Sequence, residues 1–461
     1  MERGGHTFHA TLATQDPNEK LARRLPSAAT EMILATSITV PTPPWLIAPF
    51  ALLLLCIALG PLAFPKFWHR RYPVVALGLA VISAACQWLM GGTFAPLLHA
   101  LEEYAGFIAL ITSLYVVSGG IHIRVKGEAT PAMNCAFLAI GAVLANVIGT
   151  TGASMLLIRP WIRMNKYRIT AFHIVFFIFI VSNVGGCLTP IGDPPLYMGY
   201  LKGVPFWWVL THCWQAWAVA VAGLIAIFAF FDRVNFLRAP KQVRDAETAH
   251  KTWSFRGMHN LLFLAVILFA VLMLPIGWRE AAMAAAALGS WFTTKRDIHE
   301  ANDFAWEPVK EVAWLFIGIF ITMTPALHHL QGNPPPLASA HAYYWATGAL
   351  SAALDNAPTY LAFLATALGQ QHLAMENAAD ITAFASGHAG TLEAISLGAV
   401  FFGAMTYIGN GPNFMVKAIA EHAKVKTPSF LGYVVRFALP ILLPFLALIG
   451  ILFFSRWHVF G

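Results

Sequence analysis

Charged residues are scarce in this chain. Asp, Glu, Lys and Arg make up 11% of its 461 residues, whereas 58% are hydrophobic. Soluble globular domains carry about 25% charged residues, so this composition excludes that class. Apolar runs of about 18 or more residues recur along the sequence, and each is long enough to cross a bilayer core of about 30 Å. The sequence therefore predicts an all-α polytopic membrane protein.

Cysteine and enzyme motifs are also sparse. The five cysteines lie in apolar segments without CxxC spacing, which argues against a disulfide framework and a zinc site. No HExxH motif and no nucleophile–base pair favours an intramembrane enzyme. We therefore predict that the protein is not an enzyme and needs no cofactor.

Basic residues give the chain a net charge of +7. They are scattered over short loops between apolar runs, so membrane topology explains them better than nucleic-acid binding does. Counting Lys and Arg on alternate sides predicts a multi-pass membrane protein with both termini external. The expected partner is therefore the lipid bilayer, with no nucleic acid.

Ten spans and two interrupted apolar stretches follow from the hydrophobic pattern. The spans are predicted at about 46–63, 74–92, 103–121, 169–199, 207–231, 258–275, 281–294, 309–327, 393–420 and 430–455. The stretches at about 132–160 and 343–370 each contain a central helix-breaking patch. Such backbone is tolerated at membrane depth only where it is buried in protein or lines a cavity, so we interpret both stretches as re-entrant hairpins.

Two spans are broken by similar motifs. Residues 186–195 read GCLTPIGDPP, and residues 403–412, which begin 217 positions later, read GAMTYIGNGP. Asp193 faces Asn410 in this alignment. Interrupted hydrophobic segments at matching places in two halves are the sequence mark of a secondary transporter and indicate its substrate site.

In each half of the chain an interrupted apolar stretch precedes a broken span. This common order predicts two repeats of inverted topology. We divide the chain into a polar N-terminal tail, a first span with its loop, repeat 1, a basic cytoplasmic linker with a connecting span, and repeat 2. Their bounds are 1–45, 46–73, 74–231, 232–280 and 281–461.

A helix broken at mid-membrane exposes two polar ends. The N-terminus of the second half-helix favours an anion, and the C-terminal carbonyls of the first half-helix favour a cation such as Na⁺. Gly192 and Gly409 permit the unusual backbone of each break. Asp193 and Asn410 fall where N-caps fall, and Asp193 is either such a cap, a direct ligand or both.

The predicted hairpin tips carry Asn146 and the pair Asp355-Asn356. A carboxylate between apolar runs is costly, so Asp355 is a functional-site hypothesis by default. Such a group can exchange H⁺ for Na⁺, whereas the alternative is a purely structural pairing with a neighbouring polar group. The asparagines are uncharged ligands or residues of the hairpin turns.

Together these motifs resemble the ion transporter superfamily over residues 46–455. That superfamily includes NhaD-type sodium/proton antiporters, arsenite efflux pumps, citrate–metal carriers and divalent-anion/sodium symporters. The resemblance implies a scaffold and a transport part in each half, an elevator-like motion and a homodimer. It also implies sodium sites where the hairpin tips meet the broken helices, with Na⁺ held among Asn146, Asn183, Asp355 and Asn356.

Carried over to this chain, the resemblance implies a first site formed by Asn146, Thr150, Thr151, Ser182, Asn183 and Gly186. It implies a second site formed by Asp355, Asn356, Thr359, Thr406 and Gly409. Three residues of the breaks complete the candidate ion- or substrate-binding set, namely Thr189, Asp193 and Asn410.

The tip sequences separate the branches of the superfamily. Divalent-anion symporters carry Ser-Asn-Thr at both tips, whereas this chain has Ala-Asn-Val at 145–147 and Asp-Asn-Ala at 355–357. The second tip resembles that of NhaD-type antiporters, in a bacterial branch whose members are also labelled citrate transporters. This resemblance implies a location in the inner membrane of a bacterial cell. We therefore predict sodium/proton antiport with Asp355 as the shared carrier. The alternative is Na⁺- or H⁺-coupled transport of citrate or another organic anion.

Overall fold

The computed structural model describes residues 43–91, 94–126, 129–238 and 252–455. Most of the predicted polar tail and the central part of the predicted basic linker lie outside these residues. All the described residues belong to one compact unit.

The first part of this unit is helical apart from one strand. Its elements are α1 (Ala48–Ala63), α2 (Pro65–Gly91), α3 (Ala95–Gly119), β1 (His122–Lys126), α4 (Pro131–Met164), α5 (Ala171–Ile180), α6 (Pro194–Lys202) and α7 (Trp208–Arg238).

The second part begins with a strand and continues with helices. Its elements are β2 (Thr252–Arg256), α8 (Asn260–Met273), α9 (Trp278–Thr293), α10 (Arg296–Ala301), α11 (Glu307–Gly332), α12 (Ala340–Ala353), α13 (Asn356–Gln370), α14 (Ala378–Gly387), α15 (Ala389–Phe402), α16 (Gly411–His422) and α17 (Phe430–Phe454). The middle of α17 is a π-helix.

The predicted polytopic helical membrane fold is confirmed. Among the described residues, seven helices are long and apolar enough to cross a membrane, or eight if α14 and α15, bent by 98° to each other, form one span. Each predicted span and hairpin coincides with one or two helices of the structure. The predicted spans at 169–199, 258–275 and 281–294 and the second hairpin are formed by helices shorter than 18 residues, so fewer helices of full membrane length are described than the ten that were predicted. The antiparallel ribbon of β1 and β2 and the short helices α10 and α14 were not predicted, because each of these segments is too short to form a long apolar run by itself. The division into repeats stays a prediction.

The helix α4 folds back on itself and forms the first hairpin. A straight helix of its length would separate its ends by about 50 Å. Instead, the amides of Asn134 and Asn165 donate to each other over 2.9 and 3.1 Å. The reversal occurs at Gly149, three residues after the predicted tip asparagine, where φ is 76° and ψ is 155°. The second hairpin is α12 and α13, whose outer ends meet where Tyr343 donates to Gln370 over 3.0 Å.

Replacing Gly149 by alanine tests this reversal. Its φ and ψ lie in a region open essentially to glycine alone, and a Cβ there would lie 3.2 Å from Ile191 O. We expect Gly149→Ala to lower the free energy of unfolding by about 1–3 kcal/mol, measured by thermal denaturation in detergent. Gly78→Ala on α2 is the matched control, since nothing lies within 4 Å of its added Cβ. Equal melting temperatures for the two variants would contradict this account.

The half-helices before the two breaks form the centre of the fold. Every residue of α5 from His173 to Ile180 is buried, and α15 is buried from Ala394 to Phe402. Helices that are apolar all round belong in the interior, so both breaks lie deep in the protein.

A buried ionic cluster fixes the start of α5. Asp232 on α7 is fully buried and pairs with the guanidinium of Arg168, with an Nη2–Oδ2 distance of 3.0 Å. His173 Nε2 lies 3.0 Å from Asp232 Oδ1, and Asn134 donates to Oδ2 over 2.9 Å. These contacts join α4, α5 and α7 at the open end of the first hairpin.

Candidate functional site

The backbone approaches itself closely within each break. A Cβ on Gly192 would collide with the carbonyl oxygen of Gly186, and a Cβ on Gly409 would lie 2.7 Å from Gly403 O. Only glycine fits these crossings, which explains why the Gly pair recurs at the same spacing in both motifs.

A threonine organises each break in the same way. Thr189 Oγ1 donates to Asn146 O over 2.6 Å and accepts from Gly192 N over 3.1 Å. Thr406 Oγ1 donates to Ala352 O over 2.9 Å and accepts from Gly409 N over 3.1 Å. Each threonine therefore ties its break to the hairpin of its own half.

Asp193 is the point where the two halves meet. Its side chain is 1% exposed and accepts hydrogen bonds from three neutral donors. Thr150 Oγ1 and Asn410 Nδ2 donate to Oδ1 over 2.7 and 2.9 Å, and Asn356 Nδ2 donates to Oδ2 over 2.6 Å. These donors come from the first hairpin, the second break and the second hairpin. No described Lys, Arg or His forms an ion pair with this carboxylate.

Asp193 and Asn410 occupy N-cap positions, but neither side chain caps its helix. The side chain of Asp193 therefore does not cap α6. It accepts hydrogen bonds from other elements instead. Asp355 does cap, because its Oδ1 accepts from Ala357 N over 3.0 Å at the start of α13. It is only half-buried and lies close enough to Asp193 for the two charges to interact.

Asn356 carries an unused acceptor at this site. The residue is fully buried, and its Oδ1 has no hydrogen-bond partner among the described residues. Since the Nδ2 of the same amide holds Asp193, a free carbonyl oxygen lies beside a buried carboxylate. Carbonyl and carboxylate oxygens are the ligands that hard cations prefer.

The predicted asparagines of the first half bind backbone and side chains across the breaks. Asn146 donates to Gly185 O over 2.7 Å and accepts from Leu188 N over 2.7 Å. Asn183 Oδ1 accepts from Asn410 Nδ2 over 3.2 Å, and its Nδ2 donates to Asn413 Oδ1 over 2.7 Å. The two broken helices are thus joined by an amide network.

The remaining candidates lie around this network. Ser182 Oγ is 2.7 Å from Ser154 Oγ, and Ser182 O accepts from Asn410. Thr359 Oγ1 donates to Asp355 O within its own helix over 2.8 Å, and Thr151 lines a cavity.

Sequence reasoning missed Asn413. Its Nδ2 donates to Gly403 O over 2.8 Å and to Thr406 O over 2.9 Å, so it closes the second break. Its position three residues after Asn410 on the same helical face was the available signal.

A small cavity lies against the first break. Its volume is about 30 Å³, and it is lined by α3, by the hairpin tip at 149–152 and by residues 190–194, including Asp193. A single water needs about 10–15 Å³ of such volume, so this space accommodates one or two waters or a bare ion. It is far too small for a six-carbon tricarboxylate in this conformation.

The electrostatics of this cavity have two sources. The half-helix that starts at Thr150 and the helix α6 that starts at Pro194 both begin there, and their N-termini contribute positive potential. The buried carboxyl of Asp193 opposes that potential. No lysine or arginine lines the cavity. Among the described residues, no group of three or more His, Cys, Asp or Glu side chains is arranged to bind a metal ion.

Comparison with known proteins identifies one family that matches most of the chain. No curated protein matches the chain. Residues 39–454 match the family described as "Putative citrate transport", which covers both hairpins and both broken helices. This match confirms the predicted resemblance and the role in transport across a membrane. The chain belongs to this family of secondary transporters.

Proposed function

We propose that the protein is a sodium/proton antiporter in which Asp193 is the carboxyl that binds H⁺ and Na⁺ in turn. The observation that carries this proposal is the environment of Asp193, which is buried, has no basic partner within the described ranges and is held by neutral donors from both halves. An ionisable residue of this kind inside a membrane protein marks an ion pathway. Asp355, the carrier that the sequence predicted, takes the role of a helix cap beside this site.

The hydrogen-bond chemistry permits both states of the carboxyl. When Asp193 is ionised, it accepts from the Thr150 hydroxyl and from the amide N–H groups of Asn356 and Asn410. When it is protonated, the Thr150 hydroxyl is the partner that can reverse and accept, because an amide N–H cannot. Na⁺ replaces that proton by binding the carboxylate and the free Asn356 Oδ1.

Alternating access follows from the way the site is built. Asp193 lies in the first break and accepts hydrogen bonds from both hairpins and the second break, so a movement of these elements as a group carries the occupied site intact. We also propose a homodimer in the inner membrane, which rests on the sequence resemblance. The proposed external location of both termini rests on the distribution of basic residues.

Transport of citrate or another organic anion is the second candidate. It is favoured by the family match and by the two half-helix N-termini at the cavity, which suit a carboxylate. In that case Na⁺ or H⁺ on Asp193 neutralises the site before the anion binds. The small cavity then requires that the site widen during the transport cycle.

Proton flux in inside-out vesicles from cells without their own antiporters separates the two candidates. Antiport predicts that Na⁺ alone collapses an imposed pH gradient, reported by a pH-sensitive dye, and that citrate does not change the rate. Anion transport predicts no response to Na⁺ alone and uptake of labelled citrate that depends on Na⁺ or H⁺. The second result would overturn the antiport proposal.

A further inference from the structure

Asn410 is the counterpart of Asp193 in the second break. The aligned motifs place the two residues opposite each other, and both occupy the N-cap position of the helix that follows. The structure brings their side chains into direct contact, since Asn410 Nδ2 donates to Asp193 Oδ1 over 2.9 Å. Each is 1% exposed. The two equivalent positions therefore share one site, in which one side chain is ionisable and the other is a neutral amide.

Oxygen atoms surround the amide nitrogen of Asn410. Besides Asp193 Oδ1, Ser182 O lies 3.1 Å away and Asn183 Oδ1 lies 3.2 Å away. Ser182 follows the end of α5 at Ile180, and the carbonyls at this end of a broken helix favour a cation. Carbonyl and carboxylate oxygens are the ligands of hard cations. The NH₂ group of Asn410 thus fills a position that would offer oxygen ligands to a cation.

Neighbouring amides hold Asn410 in this orientation. Asn183 Nδ2 donates to Ile178 O over 2.8 Å and to Asn413 Oδ1 over 2.7 Å, so its Oδ1 faces Asn410. Asn413 Nδ2 in turn donates to the backbone carbonyl of Gly403 over 2.8 Å. Because backbone carbonyls can only accept, they fix which way both amides point. Asn410 is therefore held as a donor to Asp193.

Asp355 is a second carboxyl near this site, but its contacts favour a constant charge. It adjoins Asn356, whose Nδ2 donates to Asp193. Its own Oδ1 accepts from Ala357 N at the N-terminus of α13. A backbone N–H and the positive end of a helix both stabilise the ionised form of a carboxyl. The charge that is exchanged at the site is therefore expected to depend on Asp193 alone.

We propose that Asn410 limits the site to one exchangeable charge, so that the protein exchanges one Na⁺ for one H⁺ and moves no net charge. When Na⁺ binds, the O–H bond of the Asp193 carboxyl breaks, its electron pair stays on the carboxylate and one H⁺ leaves. The reverse step restores the O–H bond and releases Na⁺. This inference deepens the proposed antiport, on which it rests. Asn410 is the residue that determines the charge of the accepted cation, because its neutral amide stands where a second carboxylate would select a divalent ion.

The balance point of the exchange tests the stoichiometry in the wild-type protein. Purified protein in liposomes is given a fixed pH gradient, and the Na⁺ gradient that just stops net proton flux is measured at two membrane potentials set by K⁺ and valinomycin. We expect the same Na⁺ gradient at zero and at about 100 mV. Exchange of two H⁺ for one Na⁺ would shift it about 50-fold, because moving one charge through 100 mV corresponds to about 2.3 kcal/mol.

Asn410→Asp tests the role of the residue itself. It places a second carboxylate beside Asp193, and two carboxylates at this distance require a proton or a cation between them. We expect the variant to bind Ca²⁺ at least about tenfold more tightly than wild type in titration calorimetry. We also expect its balance point to depend on the membrane potential. Asn410→Ser is the matched control, because it removes the amide without adding a charge and is expected to show neither change, whatever its rate.

Three results would overturn the inference. These are a balance point of the wild type that shifts with potential, a folded Asn410→Asp variant with the Ca²⁺ affinity and balance point of wild type, and a balance point of Asn410→Ser that shifts with potential. Size-exclusion profiles in detergent verify folding, and the wild-type measurement decides the matter if Asn410→Asp does not fold. Absence of Na⁺-driven proton flux in the wild type at both potentials would instead refute the antiport proposal and this inference with it.

Discussion

Replacement of Asp193 by asparagine is expected to reduce Na⁺-driven proton flux to the level of empty vesicles. The substitution keeps the size of the side chain but removes the carboxyl that accepts from Thr150, Asn356 and Asn410 and that we propose as the H⁺ carrier. It also removes the negative charge that balances a bound Na⁺. The measurement is the collapse of an imposed pH gradient in inside-out vesicles with matched amounts of protein.

Asp355→Asn is the matched control for this prediction. Asparagine is as good an N-cap as aspartate, so the start of α13 and its bond to Ala357 N survive. We expect this variant to keep measurable exchange, with a weaker apparent affinity for Na⁺ because one negative charge near Asp193 is lost. Wild-type flux in Asp193→Asn together with loss of flux in Asp355→Asn would return the role of carrier to Asp355.

Asp232→Ala is expected to produce the largest loss of stability. It leaves the guanidinium of Arg168 buried without its carboxylate and removes the partner of His173 and Asn134. Removing one member of a buried ion pair typically costs about 3–5 kcal/mol, because the remaining charge is uncompensated. The measurement is thermal denaturation of the protein in detergent. The loss of the monodisperse peak in size-exclusion chromatography reports the denatured fraction at each temperature.

Two comparisons show whether the burial of charge causes this loss. Glu300→Ala removes a solvent-exposed helical pair with Arg296 and is expected to cost no more than about 0.5 kcal/mol. The double variant Arg168→Met with Asp232→Leu removes both charges and is expected to recover a large part of the stability that Asp232→Ala loses. A double variant as unstable as Asp232→Ala would contradict this explanation.

The helical architecture could be predicted from the sequence because the residues that break a helix lie at the break itself. Gly and Pro inside apolar runs predicted both broken helices, and the recurrence of Thr and Gly at equal spacing corresponds to equal hydrogen bonding by Thr189 and Thr406. Helix breaks are encoded by the residues at the break, so they can be read without knowledge of the rest of the chain.

The roles of the individual residues at the site could not be predicted from local sequence. Whether Asp193 caps α6 or binds across the protein depends on donors 43, 163 and 217 residues away. The bond between the side chains of Asn183 and Asn413, which are 230 residues apart, is equally non-local. The first hairpin reverses at Gly149 and not at Asn146, because the reversal requires a positive φ that asparagine at 146 does not adopt.

Proton release on Na⁺ binding to the purified protein is the most direct test of Asp193 as the shared carrier. Titration calorimetry in two buffers of different ionisation enthalpy, repeated over a pH series, counts the protons displaced per Na⁺. A carboxyl that must lose its proton to bind a cation predicts a pH range in which about one H⁺ leaves per Na⁺. We expect this release to disappear in Asp193→Asn. No release at any pH, or the same release in Asp193→Asn, would contradict it.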